Sequence, residues 1–402
     1  MGGDKLKRIL FKGDRIIWAV FFFICAISWV EVFSATSRQI SASGNYWLPI
    51  IKHTMFLLSG IFVVWFMQNL KLHHIKWLTN LFYWVGVIGL IWAQFDSGSR
   101  INGSARWINV FGLFTIQPME FAKMGIIMVV ARILSDHQTE DGTDGDALKE
   151  IIKYSIPPVV IILKENLSTA LLIAIAIYMM MYIAKAPWKQ LVSLLGIALA
   201  AGTLGIVGIL SIPDSFADKG EFGSKVITWK HRIQDAGNST PIDPDNYTID
   251  DDQRAHANMA IASSHIFGCG PGKSVQRDNI PHAYSDFIYA IIIEELGLIG
   301  GVAIILLYLT FLYRCGKIAN KSEDAQSSYI AMGIGLIIVL QAMLHMYISV
   351  GDFVTGQPLP LMSQGGTSVI INCIYIGMLL CISRHTIKPA ATATETEGKT
   401  NN

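Results

Sequence analysis

Charge is scarce in this chain. Of 402 residues, 15% are Asp, Glu, Lys or Arg, against roughly 25% in an ordinary soluble protein. The formal net charge of +1 implies no polyanion partner, and neither a basic patch nor a nucleic-acid motif appears. Cysteine is scarce too: Cys25, Cys269, Cys315, Cys373 and Cys381 are an odd set, mostly inside apolar runs. They give neither a disulfide framework nor metal-ligand spacing, and read as small packing residues. A secretory leader is not expected either. The first apolar stretch follows a basic segment, but it lacks a small-residue cleavage site and further apolar stretches follow, which points to a retained helix.

What the chain has in abundance is apolar sequence, 52% by count, gathered in long blocks. A helix needs about 20 such residues to cross a hydrocarbon core about 30 Å thick. The blocks predict ten spans, at 15–35, 46–67, 76–95, 118–135, 150–164, 167–184, 188–212, 287–313, 328–350 and 366–384. The expected fold is therefore an all-α integral membrane bundle, one polytopic domain over 1–388 with a disordered polar tail at 389–402. The fifth span is short and carries Pro157 and Pro158, tolerable where neighbouring helices satisfy the freed carbonyls.

Basic residues in the short loops set the orientation. With the N-terminus inside, eighteen Lys and Arg fall on inner segments and six on short outer ones. Both termini are thus expected in the cytoplasm. The long loop at about 213–285 then lies outside, between spans 7 and 8. It joins an acidic, turn-rich stretch to the glycine-rich GCGPGKS of Gly268–Ser274. That heptapeptide is not a nucleotide loop: the pattern needs Gly five residues before Gly272, where Phe267 stands. Its backbone amides suit a pyrophosphate or a plain turn equally well.

The informative residues are polar ones inside apolar blocks, because a charge at a helix centre costs about 2.5–3.5 kcal/mol. Glu120 and Lys123, three apart near the outer end of the fourth span, share a helical face within ion-pair reach. Structural and functional roles are evenly matched for this pair. Asp286 opens the eighth span, where exposed amides favour an anion, and on the residues alone a cap by Ser285 or Asp286 explains it. Eight and nine residues on, Glu294 lies nearer the Asp286 face and Glu295 nearly opposite. The segment 350–368, with Pro358, Pro360, Gly365 and Gly366, interrupts regular helix at membrane depth, which is tolerated only in a protein interior or beside a wet cavity.

Three of these segments resemble the SEDS family (FtsW, RodA and SpoVE), the membrane glycosyltransferases of bacterial cell-wall synthesis. RWINVFGLFTIQPMEFAK (106–123) resembles its RWI…QPSE..K motif. GKSVQRDNIPHAYSDFIYAIIIEELGLIG (272–300) resembles its S.Q…P….DFIFA.I.EELG motif, and TGQPLPLMSQGGTS (355–368) its TG.PLPF.S.GGSS motif. Order, spans and outer loop agree along nearly the whole chain, and the match is nearest to the division member, FtsW.

The resemblance implies that Asp286 is the catalytic carboxylate and that Glu120 and Lys123 line the same outward cavity. It places substrate contacts also at Arg106, Gln253, Lys273, Ser274, Gln276, Glu295 and Ser363. The implied substrate is lipid II, a disaccharide-pentapeptide on undecaprenyl pyrophosphate, polymerised on the outer face of the inner membrane, at the septum for a division member. A class B penicillin-binding protein and other division proteins are the implied partners. Departures occur at Met119 for Ser, Asn166 for Asp, Ser168 for Gly, Ser264-His265 for Gly-Gly, and His345 for Asn. They leave Asp286 intact but question any metal site built on the replaced Asp. No dedicated metal site is read from the sequence, although a divalent cation, Mg or Mn, could share the leaving-group charge. The rival readings are a lipid II flippase, an elongation-type RodA-like polymerase, and a non-catalytic scaffold.

Overall fold

In hydrocarbon the backbone has no water to bond, so a spanning segment satisfies its own amides as helix. The computed structural model, which describes residues 11–36, 47–95, 108–110, 114–213, 223, 226–227, 229–230, 233–234, 249–280, 283–350 and 357–386, shows helix in all ten expected blocks. They are α1 (Arg15–Ala35), α2 (Trp47–Gln68), α3 (Leu72–Phe95), α4 (Pro118–Asp136), α5 (Ala147–Glu165), α6 (Leu167–Ile183) and α7 (Trp188–Leu210), then α10 (Ile288–Lys321), α11 (Ala325–Val350) and α12 (Gly366–Thr386). Between α7 and α10 stand α8 (Ile249–Ser263) and a short α9 (Ala283–Asp286). Two antiparallel hairpins, β1–β2 (Ile108–Val110, Phe114–Ile116) and β3–β4 (Gln138–Thr139, Gly142–Thr143), flank α4.

Seven of these helices are long and apolar enough to cross a membrane, and α6 is a shorter apolar helix. The exceptions are informative. α4 is buried along nearly its whole length, so it need not be apolar on a lipid side and can carry Glu120 and Lys123. It lies against α3 at a close crossing: a Cβ at Gly86 would sit 2.4 Å from the Ala122 backbone, and one at Gly125 2.4 Å from the Tyr83 backbone. Small residues at such a crossing let two backbones approach. α7 is the opposite case, with Leu191 its one buried residue. Its apolar circumference faces lipid.

One helix departs from expectation. The eighth span continues to Lys321, about two turns past its expected end at 313, and is broken at Gly297 (φ 74°, ψ −176°). That conformation is essentially reserved for glycine. The start of α1 and the far end of α10 are tied by Asp14, which caps α1 at the Ile16 and Ile17 amides (2.9 and 3.1 Å) and pairs with Arg314.

Candidate functional site

The irregular segment 357–364 is where the three sequence motifs meet. Extended chain at this depth must find partners for its carbonyls, and side chains from three helices supply them. His345 Nδ1 donates to the Gln357 carbonyl (2.6 Å), so its hydrogen is on Nδ1. Gln341 Nε2 donates to Pro358 (2.9 Å), the Tyr308 hydroxyl to Pro360 and Ser28 Oγ to Met362 (2.9 Å). Since Ser28 gives its one hydrogen to Met362, His53 Nε2, 3.0 Å away, is the donor to Ser28 Oγ. The Gln357 side chain reaches Thr169, next to Asn166, whose Oδ1 caps α6 at the Thr169 amide (3.1 Å).

Glu120 and Lys123 join this network directly. Lys123 Nζ lies 3.0 and 2.8 Å from the two Glu120 oxygens and 2.6 Å from Gln341 Oε1. Both residues are 2% exposed. The i,i+3 contact expected from spacing is present. Gln341 extends it to the Pro358 carbonyl, so the first and third motifs are linked by a single amide side chain.

The second motif is fastened to the other end of the segment. Ser363 Oγ accepts from the Leu359 amide (2.8 Å) and donates to the Ser285 carbonyl (2.8 Å), while the Gln364 amide donates to the Tyr284 carbonyl (3.0 Å). Tyr284 and Ser285 belong to α9, which ends at the partly buried Asp286. Ser285 Oγ donates to Asp286 Oδ1 (2.8 Å). The N-cap of α10 is Phe287, with no side-chain cap bond, so Asp286 occupies its own turn just before the helix and does not cap it.

The break at Gly297 builds a second cluster. Freed from the helix ladder, the carbonyls of Glu294 and Glu295 accept the amides of Cys269 (3.0 Å) and Gly270 (2.9 Å), and Leu298 N donates to His265 O (3.2 Å). The outer loop thus lies on α10 like a paired strand. Both carboxylates grip the same loop, although helix geometry alone set them on different faces. Glu294 accepts from Ser274 Oγ and from the Val275 amide (3.0 Å). Glu295 accepts from Ser34 Oγ and the amides of Gly272 (2.8 Å) and Ser274 (3.2 Å). The Arg277 guanidinium lies 3.7 Å from Glu295. The neighbouring Cys269 thiol is held above its ordinary range by partial burial, and then by the Glu294 and Glu295 carboxylates.

Of the other residues expected to touch substrate, Gln253 is buried on α8 and Gln276 Oε1 lies 2.7 Å from His256 Nδ1. Lys273 is exposed on the loop, and Arg106 lies outside the described residues. Among the described residues no group of three or more His, Cys, Asp or Glu side chains is placed to hold a metal ion. Sequence reasoning missed Gln341 and the Gln357–Thr169 contact. The available signal was a lone amide or hydroxyl inside an apolar block. It also missed Glu31 on α1, fully buried, with no donor at either oxygen among the described residues.

Comparison with known proteins agrees with this fold. A chain solved in a study of "structural coordination of polymerization and crosslinking by a peptidoglycan synthase complex" superposes with a TM-score of 0.72 at 20% identity, over 94% of this chain and 99% of that one. The rod shape determining protein RodA of Thermus thermophilus superposes with a TM-score of 0.64 at 19% identity, over 94% of this chain and 98% of its own. Among curated relatives, a "Probable peptidoglycan glycosyltransferase FtsW" of Halomonas elongata is 29% identical over 90% of this chain and 87% of its own. One of Hydrogenovibrio crunogenus is 33% identical over 72% and 70%. The family model for cell cycle proteins of the FtsW, RodA and SpoVE type matches residues 14–388. The chain is a multi-pass membrane protein and belongs to the FtsW/RodA/SpoVE family.

Proposed function

We propose that this protein is a peptidoglycan glycosyltransferase of the FtsW type. It polymerises lipid II on the outer face of the bacterial cytoplasmic membrane during septal division, with both termini in the cytoplasm and a class B penicillin-binding protein as partner. The observation that carries the reading is the setting of Asp286. Its carboxylate is partly buried, caps no helix, and sits on a turn bolted through Ser285 and Ser363 to the segment that also anchors Lys123 through Gln341. A general base needs such a fixed position within hydrogen-bond reach of the proton it takes. The FtsW-named relatives favour the division role over elongation.

In this mechanism Asp286 accepts the proton of the attacking sugar 4-hydroxyl as its oxygen bonds to the anomeric carbon of the second lipid II, and undecaprenyl pyrophosphate leaves. Glu120 and Lys123 neutralise each other inside the cavity wall and hold its shape. Countercharge for the pyrophosphate falls to Lys273 on the outer loop and to Arg106. Every step uses the chain's own residues. Glu295, Ser274 and Gln276 contribute by fixing the loop that carries Lys273.

The test is polymerisation of lipid II by purified protein with its co-purified transpeptidase. Asp286→Asn keeps size and polarity but removes proton acceptance, so the rate falls by about 10²–10⁴-fold while insertion, partner binding and lipid II binding persist. Full polymerisation by the Asn variant would sink the assignment. Wild-type protein that moves lipid II across vesicles and never polymerises it would make the chain a flippase.

A further inference from the structure

Two immobilised cations at the end of the bundle carrying both described termini have no counter-ion among the described residues. Lys12 Nζ is held by Asn69 Oδ1 (2.8 Å), and Asn69 is itself fixed by its Nδ2, which donates to the Trp65 carbonyl (2.7 Å). The Lys12 backbone is pinned on both sides, its amide by Gln68 Oε1 (3.0 Å) and its carbonyl by Trp18 Nε1 (3.0 Å). Arg384 donates to the Leu70 carbonyl (2.7 Å). Among the described residues, the side-chain partners of these two cations are neutral oxygens. The carboxylate nearest in sequence, Asp14, is already taken by Arg314.

Lys12, Trp65, Phe66, Asn69 and Leu70 line an open cavity of about 330 Å³, within the range of small-molecule sites. Its walls are of two kinds. Trp65 and Phe66 belong to the last turn of α2 and are 38% and 52% exposed, so their rings border the lipid. Lys12 and the carbonyl bonded by Arg384 lie past the helix end. A helix of 22 residues is about 33 Å long at 1.5 Å per residue, which puts these last residues at a membrane–water boundary, the depth of phosphate headgroups.

We propose that this cavity binds an anionic phospholipid, its phosphodiester between Lys12 and Arg384 and its acyl chains along Trp65 and Phe66. The site is distinct from the outer-face chemistry and does not depend on it. Charge complementarity selects the headgroup: Lys12 in the lining, Arg384 beside it on the carbonyl of the lining residue Leu70, no carboxylate in the lining, and a neutral amide that orients Lys12. The apolar wall selects a lipid over a free phosphate. Basic pockets between helices at this depth favour anionic headgroups by about 1 kcal/mol per Lys or Arg. A bound lipid would bridge the segment before α1, the end of α2 and the end of α12, which already meet through Lys12–Asn69 and Arg384–Leu70.

The experiment titrates purified full-length protein in neutral detergent with phosphatidylglycerol, following thermal unfolding and counting adducts by native mass spectrometry. Phosphatidylglycerol is expected to raise the unfolding temperature saturably and leave a one-lipid adduct. Diacylglycerol, which lacks the phosphate, and glycerol phosphate, which lacks the chains, should do neither at the same concentration. Lys12→Gln and Arg384→Gln should each weaken the titration about fivefold, and Lys189→Gln, which removes an exposed charge elsewhere, should not. If the double variant titrates like wild type, or if diacylglycerol or glycerol phosphate matches phosphatidylglycerol, the proposal is overturned. The wild-type lipid comparison decides the matter even where a variant fails to fold.

Discussion

Replacing Lys123 with Met keeps the length and apolar stem of the side chain but deletes an ammonium held by three oxygens. Glu120 loses contacts at 2.8 and 3.0 Å and Gln341 loses one at 2.6 Å. At about 3 Å and an effective dielectric of about 20, the lost attraction is about 5–6 kcal/mol. The desolvation that opposed it in the pair stays with Glu120, which is still buried. Removing one partner of a buried pair costs about 3–5 kcal/mol in practice, a large share of the 5–15 kcal/mol that holds a typical domain. Glu120→Gln should cost less, because an amide can still accept from Lys123. The double variant Glu120→Gln, Lys123→Met leaves no buried charge. It should recover part of the loss, with a coupling energy of up to about 3 kcal/mol. The assay is equilibrium unfolding in a defined detergent, with monodispersity by fluorescence-detected size exclusion. Single variants within about 0.5 kcal/mol of wild type, or strictly additive losses, would refute the claim that these charges are coupled and buried.

Gly297→Ala should loosen the outer loop: it puts a Cβ 2.3 Å from the Ile266 carbonyl at φ 74°, a strain of about 1–3 kcal/mol before the clash, and limited proteolysis after Lys273 and Arg277 reads the release. Glu31→Met should keep or raise stability, because an unpaired buried acceptor costs about 1–3 kcal/mol; a drop of that size on thermal unfolding would mean that Glu31 has a partner. At the junction of α10 and α11, burial pushes the Asp324 carboxyl up, but hydrogen bonds from Lys76 (2.6 Å) and Ser327 outweigh it and hold the group below its ordinary value. Its contribution is therefore present above the unfolded carboxylate value, about 3.9, and is lost as pH falls through the folded one. Unfolding scans from about pH 6 down to about pH 3 should show a smaller acid loss for Asp324→Asn than for wild type. Asn keeps the cap on Ser327, and Asp324→Ala should cost about 1 kcal/mol more.

How far the sequence could be read depended on whether a feature was local. Span positions were legible because each block had to satisfy its own backbone in lipid, and the Glu120–Lys123 contact because i,i+3 spacing is a property of one helix. The break at Gly297 was not legible. EELGLIGG continues an apolar run, and glycine is common in membrane helices, so nothing local separates this Gly from Gly300 or Gly301. What demands the break is tertiary: residues 265–270 approach so closely that the Glu295 carbonyl lies 2.3 Å from where a Gly268 Cβ would stand. The overshoot of α10 to Lys321 has the same character, since a helix ladder continues in water past the point where hydropathy ends. Asp286 is a proposal on one side and a correction on the other. Its chemistry came from resemblance, and the cap role that its residue type suggested is contradicted by Phe287 standing at the N-cap.

The segment 357–364 explains why several polar residues that looked unrelated in sequence are needed together. A proline-interrupted stretch inside a membrane protein exposes carbonyls that neither water nor a helix ladder can satisfy. Each therefore requires a donor from some neighbouring helix: Ser28 from α1, Tyr308 from α10, and Gln341 and His345 from α11. Those donors sit up to 334 residues away in sequence, so no window scan could pair them. Their common requirement is nonetheless local to the acceptor, since removing any one orphans a buried carbonyl at about 1–3 kcal/mol. Gln341 differs from the rest because it also accepts from Lys123. Gln341→Leu should therefore cost more than loss of any other donor: it orphans Pro358 and withdraws one of three acceptors from a buried ammonium. If Gln341→Leu and Ser28→Ala destabilise equally, Gln341 is only one more donor, and the Glu120–Lys123 pair stands apart from the segment that carries Ser363.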